Sequence, residues 1–579
     1  MIIDLFKKTL KIFDYVGEKV KRNFFTLIFL SSLAGILDFL GISMMIPLIA
    51  KIMSVDPAQN PGVIGVEFTV LTGLSSKLSA LMLVSIIVII FFMKALYNTF
   101  FYYTRSIFCF NIQASISEQM ALKYLSRQPE IFYGNDSSKY INNCMDETKR
   151  FNASVMLPFL ALIAEIVVVT LILSLLVYID WRTSLIVFVL MFSLSLLFTR
   201  AIREPLEKAG FSRRHHFRLR LKVFREAIDG FKELSISSGV SLFLKDFIFH
   251  NRRGSKADRQ ANWLSLLPSI WIEFFAVLTI FSAVYFVLNK DSNVTQTLII
   301  IGIFGAASVR LMPSSNRIMN AINTLTYSTS VINLVFEELS KKDSIQEYMP
   351  STIIDCEEGT LLTVNSGEYA YKSSENWSLK IPEMVIRKTE KVAIFGDNGS
   401  GKSTLLDLLA GFKSLPAGVM KINLDEPPKF MSDWWKSVSY CSQSVFIFDR
   451  DLAFNITLAD HNIDFQRLEK VKNIAGLNDV TTKLEFRANK SLGELGRSLS
   501  GGERQRIAIA RALYKESTVI SFFDEVTSNL DEKITHQLVQ NLLEWNSDKA
   551  MIFVTHDQSL AEYFDTIYSI ESGVISREE

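Results

Sequence analysis

The run Lys391-Val392-Ala393-Ile394-Phe395-Gly396-Asp397-Asn398-Gly399-Ser400-Gly401-Lys402-Ser403-Thr404-Leu405-Leu406-Asp407-Leu408-Leu409-Ala410-Gly411 decides how the C-terminal half is read. A short apolar strand leads into a glycine-rich turn, and helical spacing follows. The turn fits G-x-x-x-x-G-K-[ST] in the context that pattern requires, strand then loop then helix. Glycines let successive backbone N–H groups turn toward one point, and the opening helix adds the positive end of its dipole, so the turn is built to hold phosphate. Lys402 is placed to reach the β- and γ-phosphates, and the Ser403 hydroxyl is a ligand for Mg²⁺.

Outward from this run the strands TVISFF (518–523) and AMIFVT (550–555) alternate with helical stretches, the pattern of an α/β sheet with parallel strands. The N-terminal ~330 residues read differently. They hold six apolar runs near the ~20 residues that a helix needs to cross the hydrocarbon core. These runs cover 23–53, 79–105, 155–179, 184–199, 263–288 and 295–318. Residues 3–20 read as an amphipathic helix lying on the membrane surface. The loops after runs two and four are about fifty to sixty residues long, and 200–262 carries fifteen Lys/Arg against seven Asp/Glu. Basic loops stay in the cytoplasm, which puts both termini and both long loops on that side. Residues 106–130 and 212–250 keep helical periodicity, so the helices run on beyond the bilayer. The fold class is a membrane all-α six-helix domain (1–334), a charged linker (335–354) and an α/β phosphate-loop cassette (355–579).

Composition agrees. The chain has 579 residues, 61 Lys+Arg against 60 Asp+Glu, 49% apolar residues and a mean hydropathy of +0.24. The near-zero net charge gives no basic footprint for nucleic acid. The four cysteines (109, 144, 356 and 441) form no CxxC pair, so neither a disulfide framework nor a zinc ribbon is indicated.

Around the phosphate loop stand further groups. Asp524 and Glu525 end the strand TVISFF. Asp524 suits the metal shell, and Glu525, one residue on, suits a general base for the attacking water. Ser498-Leu499-Ser500-Gly501-Gly502-Glu503-Arg504-Gln505-Arg506 resembles the LSGGQ signature of ATP-binding cassette (ABC) proteins, with Glu503 at the fifth position. The order of phosphate loop, signature and DE strand is also similar to that family. The resemblance implies ATP and Mg²⁺ as cofactors. It also implies that Ser500, Gly501, Gly502 and Glu503 cap the γ-phosphate held by a second copy, so that two cassettes pair head to tail in a homodimer. By the same resemblance Gln443 is the Q-loop residue, close to Mg²⁺, and Ser528-Asn529-Leu530-Asp531 is the D-loop. His556, 31 residues past Glu525, is the switch histidine, and Tyr371, 25 residues before Gly396, is the aromatic that stacks on adenine, with Tyr369 as its rival. Two positions depart from the pattern: Ser521 replaces an aliphatic residue, and DEVTSNLD stands for DEATSALD.

Six spans followed by one cassette look like a half-size ABC exporter, an ATP-driven translocase of the cytoplasmic membrane. Short coupling helices are then expected near 130–137 and 225–236. Intramembrane charges mark either a substrate path or helix packing by mutual pairing. Here they are Asp38, Lys94, Glu165, Glu273, Arg310 and Arg317. Arg310 and Arg317, seven apart, share one face of span six. With Lys94 they are candidates for a cavity that takes an anionic substrate. RLMPSSNRI (310–318), with acidic residues in spans one, three and five, resembles bacterial lipid-linked oligosaccharide flippases of the ABC type. The arginine that follows the span-five proline in those proteins is Ser269 here. The expected cargo is an anionic lipid-linked oligosaccharide or polysaccharide precursor; the alternative is a bacteriocin-like peptide, a lipid or a drug-like small molecule.

Overall fold

The computed structural model describes residues 2–43, 80–126, 129, 137–179, 181–288, 294–341, 359–371, 378–424, 431–478, 491–493, 496, 499–528 and 532–578. The chain divides into two compact units, one of residues 1–125 and 136–342, the other of residues 126–135 and 343–579.

The described part of the first unit is helical: α1 (Ile2–Val16), α2 (Glu18–Ser43), α3 (Ala80–Leu125), α4 (Leu157–Ile179), α5 (Trp181–Asp229), α6 (Phe231–Ile236), α7 (Val240–Leu288), α8 (Val294–Tyr327) and α9 (Thr329–Ser340). By length and composition, three stretches among the described residues are able to cross a membrane: Glu18–Leu37, Val84–Leu125 and Ser138–Tyr178. Runs 184–199, 263–288 and 295–318 lie inside the continuous helices α5, α7 and α8. Residues 44–53 of the first run lie outside the described residues, as does nearly all of the coupling segment expected at 130–137.

Helices α5 and α7 have 49 residues each. At 1.5 Å per residue that is about 73 Å, more than twice the ~30 Å hydrocarbon layer. Polar pairs join them over one stretch, residues 213–220 of α5 against 250–258 of α7. Arg213 Nε meets Asp258 Oδ1 at 2.9 Å, and Arg220 donates to Asn251 at 2.7 Å. A hydrogen bond joins the Nδ1 atoms of His216 and His250 at 2.9 Å. At the turn between them, within 225–236, α5 stops before Gly230 and α6 follows with no buried residue; Phe231 and Ile236 are exposed.

Two expectations change. Helix α1 forms, but its apolar face does not lie open for a bilayer. Leu5, Ile12 and Phe13 are buried in a core with Val331, Val335 and Leu339 of α9, and Lys8 donates to Asn333 at 2.9 Å. The first residues assigned to the linker, 335–340, continue α9, whose Val335 and Leu339 are buried. An apolar i, i+4 pair within charged sequence carries the helix onward. Residues 342–354 of the linker lie outside the described residues.

The helix leading into α4 contains two π turns, Asn143–Glu147 and Asn152–Met156. Such turns free backbone carbonyls from their usual partners. The Cys144 carbonyl accepts from the hydroxyls of Ser117 (2.8 Å) and Thr148 (2.6 Å), while Asn143 reaches Tyr124 and Asn152 reaches Gln113, each at 3.0 Å.

The second unit is built on a nine-stranded mixed sheet: β1 (Thr360–Tyr369), β2 (Leu379–Arg387), β3 (Lys391–Gly396), β4 (Ala417–Ile422), β5 (Val438–Cys441), β6 (Ile520–Asp524), β7 (Ala550–Val554), β8 (Thr566–Glu571) and β9 (Val574–Glu578), in spatial order β4-β1-β2-β9-β8-β3-β7-β6-β5. Strands β8, β3, β7, β6 and β5 are mutually parallel neighbours. They are buried on both faces, as parallel sheets are. Along β6 and β7, Phe522, Ile552 and Val554 join one core with Leu405 and Trp434, while Phe523, Met551 and Phe553 join the other with Ile507 and Ile509. Period-two alternation thus sets helix α10 (Lys402–Leu409) on one face and α11 (Gly501–Tyr514) on the opposite one. Ser521 has its own partners: buried Ser439 donates to it at 2.9 Å, and it donates to Asn546 at 3.1 Å.

Gly210, inside α5, sits against α8. A Cβ there would lie 2.0 Å from the Tyr327 carbonyl oxygen, a backbone atom. Gly210→Ala is therefore expected to destabilise the first unit by about 1–3 kcal/mol, the usual penalty of overpacking. Thermal unfolding of the detergent-solubilised chain measures it, and an unchanged midpoint refutes the close approach.

Candidate nucleotide site

Strands β3, β7 and β6 run parallel, with Ile394 and Asp524 both paired to Val554, so their carboxyl ends meet at one edge. The loop after β3 turns there. Gly401 adopts φ +114°, a conformation that side chains resist, and it caps α10. A Cβ on Gly396 would lie 2.7 Å from the Ile570 carbonyl and 2.8 Å from Ser400 Oγ. Both positions therefore require glycine. Lys402 Nζ folds back onto the loop, donating to the carbonyls of Gly396 (2.7 Å) and Asp397 (3.0 Å), and lies 3.5 Å from Glu525 Oε1.

Asp524 and Glu525 meet this loop from the end of β6. Asp524 is buried, and a hydrogen bond from Ser403 reaches its carboxylate. Burial pushes its pKa up to about 6; Glu525 and Asp407 add to the rise, while Ser403 and Lys402 oppose it. Its Oδ1 is buried without a hydrogen-bond partner among the described residues. Mg²⁺ takes oxygen ligands, often only one or two from protein with phosphate oxygens completing the shell. An orphaned carboxylate oxygen beside a serine hydroxyl suits that ion, so the residues fit it. Among the described residues no group of three or more His, Cys, Asp or Glu side chains forms a metal cage.

Glu525 takes φ +48°, unusual for a residue with a side chain. Its Oε2 accepts from Gln443 Nε2 at 2.6 Å. The structure thus brings Lys402, Ser403, Gln443, Asp524 and Glu525 into one cluster. His556 lies exposed just beyond β7, and no hydrogen bond ties it to that cluster among the described residues. Of the two tyrosines, Tyr369 is buried at the end of β1, and Tyr371 is exposed past it. Sequence reading missed what holds Tyr371. Its hydroxyl lies 2.9 Å from Thr404 Oγ1 and accepts from Lys413 at 3.2 Å. Lys413 is buried and paired with Asp407 at 2.6 Å. Burial opposes its charge, but Asp407 and Tyr371 outweigh that and hold its pKa above the ordinary lysine value. The one signal was Asp407 itself, a lone acid in the apolar stretch LLDLLAG.

Ser500 opens α11 as its N-cap. Its hydroxyl accepts from the Glu503 N–H at 3.2 Å, and Glu503 Oε2 accepts from the Ser500 N–H at 2.8 Å, a closed capping box. Glu503 therefore braces the signature end in this structure. Asn529, Leu530 and Asp531 lie outside the described residues.

Residues 379–528 match the ABC transporter family. The whole chain superposes on a bacterial Atm1-family ABC exporter solved with ATP bound, with a TM-score of 0.78 at 16% identity, covering 96% of this chain and 94% of that one. The chain thus has the fold of a half-size ABC exporter, with an ABC transporter cassette at its C-terminal end. The chain is 26% identical to an ATP-dependent lipid A-core flippase of Ralstonia nicotianae over 78% of its own length and 76% of the flippase. It is 26% identical to a "Probable ABC transporter ATP-binding/permease protein" of Haemophilus influenzae over 61% of this chain, spanning 63% of that relative. ATP hydrolysis coupled to transport is the activity of ABC exporters, and the cassette of this chain carries the groups for it.

The raised Asp524 pKa has a definite sign. A carboxyl with a higher pKa when folded stabilises the fold below its unfolded pKa, and that contribution is lost as pH rises from about 4 to about 6. Asp524→Asn is expected to stabilise the fold in chelator at pH 7.5 by about 3 kcal/mol, read as a higher unfolding temperature, and to abolish ATP hydrolysis. The gain should shrink as pH falls below about 6. A lower unfolding temperature at pH 7.5 contradicts the burial argument.

Proposed function

We propose that the protein works as a homodimer in the cytoplasmic membrane, with six spans in residues 1–334 and the cassette, 355–579, in the cytoplasm. ATP closes the two cassettes over two shared sites, and that closure turns an inward-open cavity outward. The observation that carries this reading is the cluster of Lys402, Gln443, Asp524 and Glu525 at one sheet edge. Lys402 and the loop amides hold the phosphates. Ser403, Asp524 and Gln443 are the residues that hold Mg²⁺, which supplies charge neutralisation at the phosphates when bound. Glu525 takes the proton of the attacking water, and His556 contacts the γ-phosphate. Tyr371 stacks on the adenine. Ser500, Gly501, Gly502 and Glu503 of one copy face the γ-phosphate held by the other. The exposed turn at 225–236 serves as a coupling segment.

The cargo in this reading is an anionic lipid-linked oligosaccharide or polysaccharide precursor. The similarity to lipid A-core flippases supports it, as do Lys94, Arg310 and Arg317 in the membrane helices. Arg317 Nε lies 2.5 Å from Glu165 Oε1, and the arginine side chain is 48% exposed, so it is held by α4 without being enclosed. Lys94 lies over the Phe91 ring at 5.1 Å. The side chain of Arg310 lies outside the described residues.

Glu525→Gln is expected to keep ATP binding and to lower steady-state hydrolysis by at least about a hundredfold, the scale of a lost general base. Retained turnover refutes the base assignment. For the cargo, ATP hydrolysis in nanodiscs is measured with and without an anionic lipid-linked sugar. Stimulation by that sugar is expected, and Arg310→Ala is expected to weaken its apparent affinity about tenfold, the loss of one charge-assisted contact. Absence of stimulation, together with stimulation by a peptide or a neutral drug, overturns the glycan reading in favour of the alternative.

A further inference from the structure

Gln505 lies in the second turn of α11, four residues past Gly501, and is buried at 2% exposure. A buried amide is expensive to leave without partners, so what it touches is informative. Its Nε2 donates to the backbone carbonyl of Glu525 at 2.9 Å. That carbonyl belongs to the residue whose φ of +48° stands in the left-handed region. The Glu525 peptide is fixed on its other side too: its N–H donates to the Val554 carbonyl of β7 at 3.1 Å. The carboxylate is met separately by Gln443 at 2.6 Å. Two glutamines thus hold one glutamate, one at its carboxylate and the other at its main chain.

We infer that Gln505 is a positioning residue for the general base, holding Glu525 in the left-handed conformation that directs its carboxylate to Lys402 and Gln443. The inference rests on the reading of Glu525 as base. A β-region conformation at 525 swings the side chain away from the edge where Lys402 lies, because rotating φ through the Cα redirects Cβ. Nothing in a glutamate side chain prefers φ +48°, so the surroundings must impose it. The Gln505 amide and the Val554 carbonyl do so, together with the Ser528 N–H, which donates to the same Glu525 carbonyl at a longer 3.3 Å. The rest of α11 is anchored beneath them, with Ile507 and Ile509 buried in one core with Phe523 and Val526, the neighbours of the carboxylate pair. The signature end and the general base of the same chain are therefore linked through one side chain within two helical turns.

Gln505→Glu keeps the shape and replaces the donor by an acceptor that faces the Glu525 carbonyl. Gln505→Met keeps the length and removes the donor. Both are made in the full-length protein and assayed for ATP hydrolysis, for binding of a fluorescent ATP analogue and for thermal unfolding. The expected result is a fall of about ten- to a hundredfold in kcat, the range for a misplaced catalytic group, with KM and analogue affinity within about twofold of the parent. A parental kcat in either folded variant overturns the inference. A loss of analogue binding in step with kcat also overturns it, because that marks a general structural role. Glu525→Gln, measured alongside, separates the two claims. If it keeps turnover, the base assignment itself fails; if it is inactive while both Gln505 variants match the parent, only the positioning role fails.

Discussion

A carboxylate almost closed off from water, at the end of β6 in the parallel part of the cassette sheet, governs the chemistry around it. Asp524 has Glu525 beside it and Asp407 nearby, with Lys402 as the compensating cation. Burial first, and then these two neighbouring carboxylates, push the Asp524 pKa up, so the edge is made for a cation. The glycine loop opposite is the complementary half, a set of N–H groups and a helix start that wait for an anion. A metal–nucleotide complex offers both charges at once. The site is thereby tuned to that pair of ligands together more than to either alone, and the sheet exists to bring the two halves to one edge.

Much of this edge was legible in the chain because its parts are local. The phosphate loop is nine consecutive residues between a strand and a helix, and its glycines answer to backbone geometry that spacing alone reveals. The Asp524–Glu525 pair is adjacent in sequence and follows a recognisable apolar strand. The signature end was legible for the same reason, as a cap followed by two glycines. The unread parts depend on contacts across long stretches of chain. Gln505 is one polar residue in a helix of mixed character until the turn after β6 is set against it. Tyr371 reaches Lys413, and through it Asp407, from beyond the end of β1, across some forty residues, and Ser521 looked like a flaw in a strand until Ser439 and Asn546 were found on either side.

The helical unit shows the same division. Long apolar runs announce helices, and α5, α7 and α8 continue through them without a break. Periodicity could not tell whether the amphipathic α1 faces lipid or protein, because both accept the same apolar stripe; the partner, α9, is more than three hundred residues away. The π turns near Asn143 and Asn152 had no sequence signal beyond a cluster of polar residues in a helix. The intramembrane charges were visible as a group, but their pairing was not. Glu165 and Arg317 are far apart in sequence and meet only because α4 packs on α8.

The length of α5 and α7 has a mechanical consequence. A stiff rod of about 73 Å that pivots by about 5° near one end carries its other end through about 6 Å, a distance larger than a helical turn. Angular changes too small to disturb side-chain packing at the fulcrum become large strokes at the tip. The cross-links by Arg213, His216 and Arg220 tie the two rods together over the stretch they span, so that there the two move together.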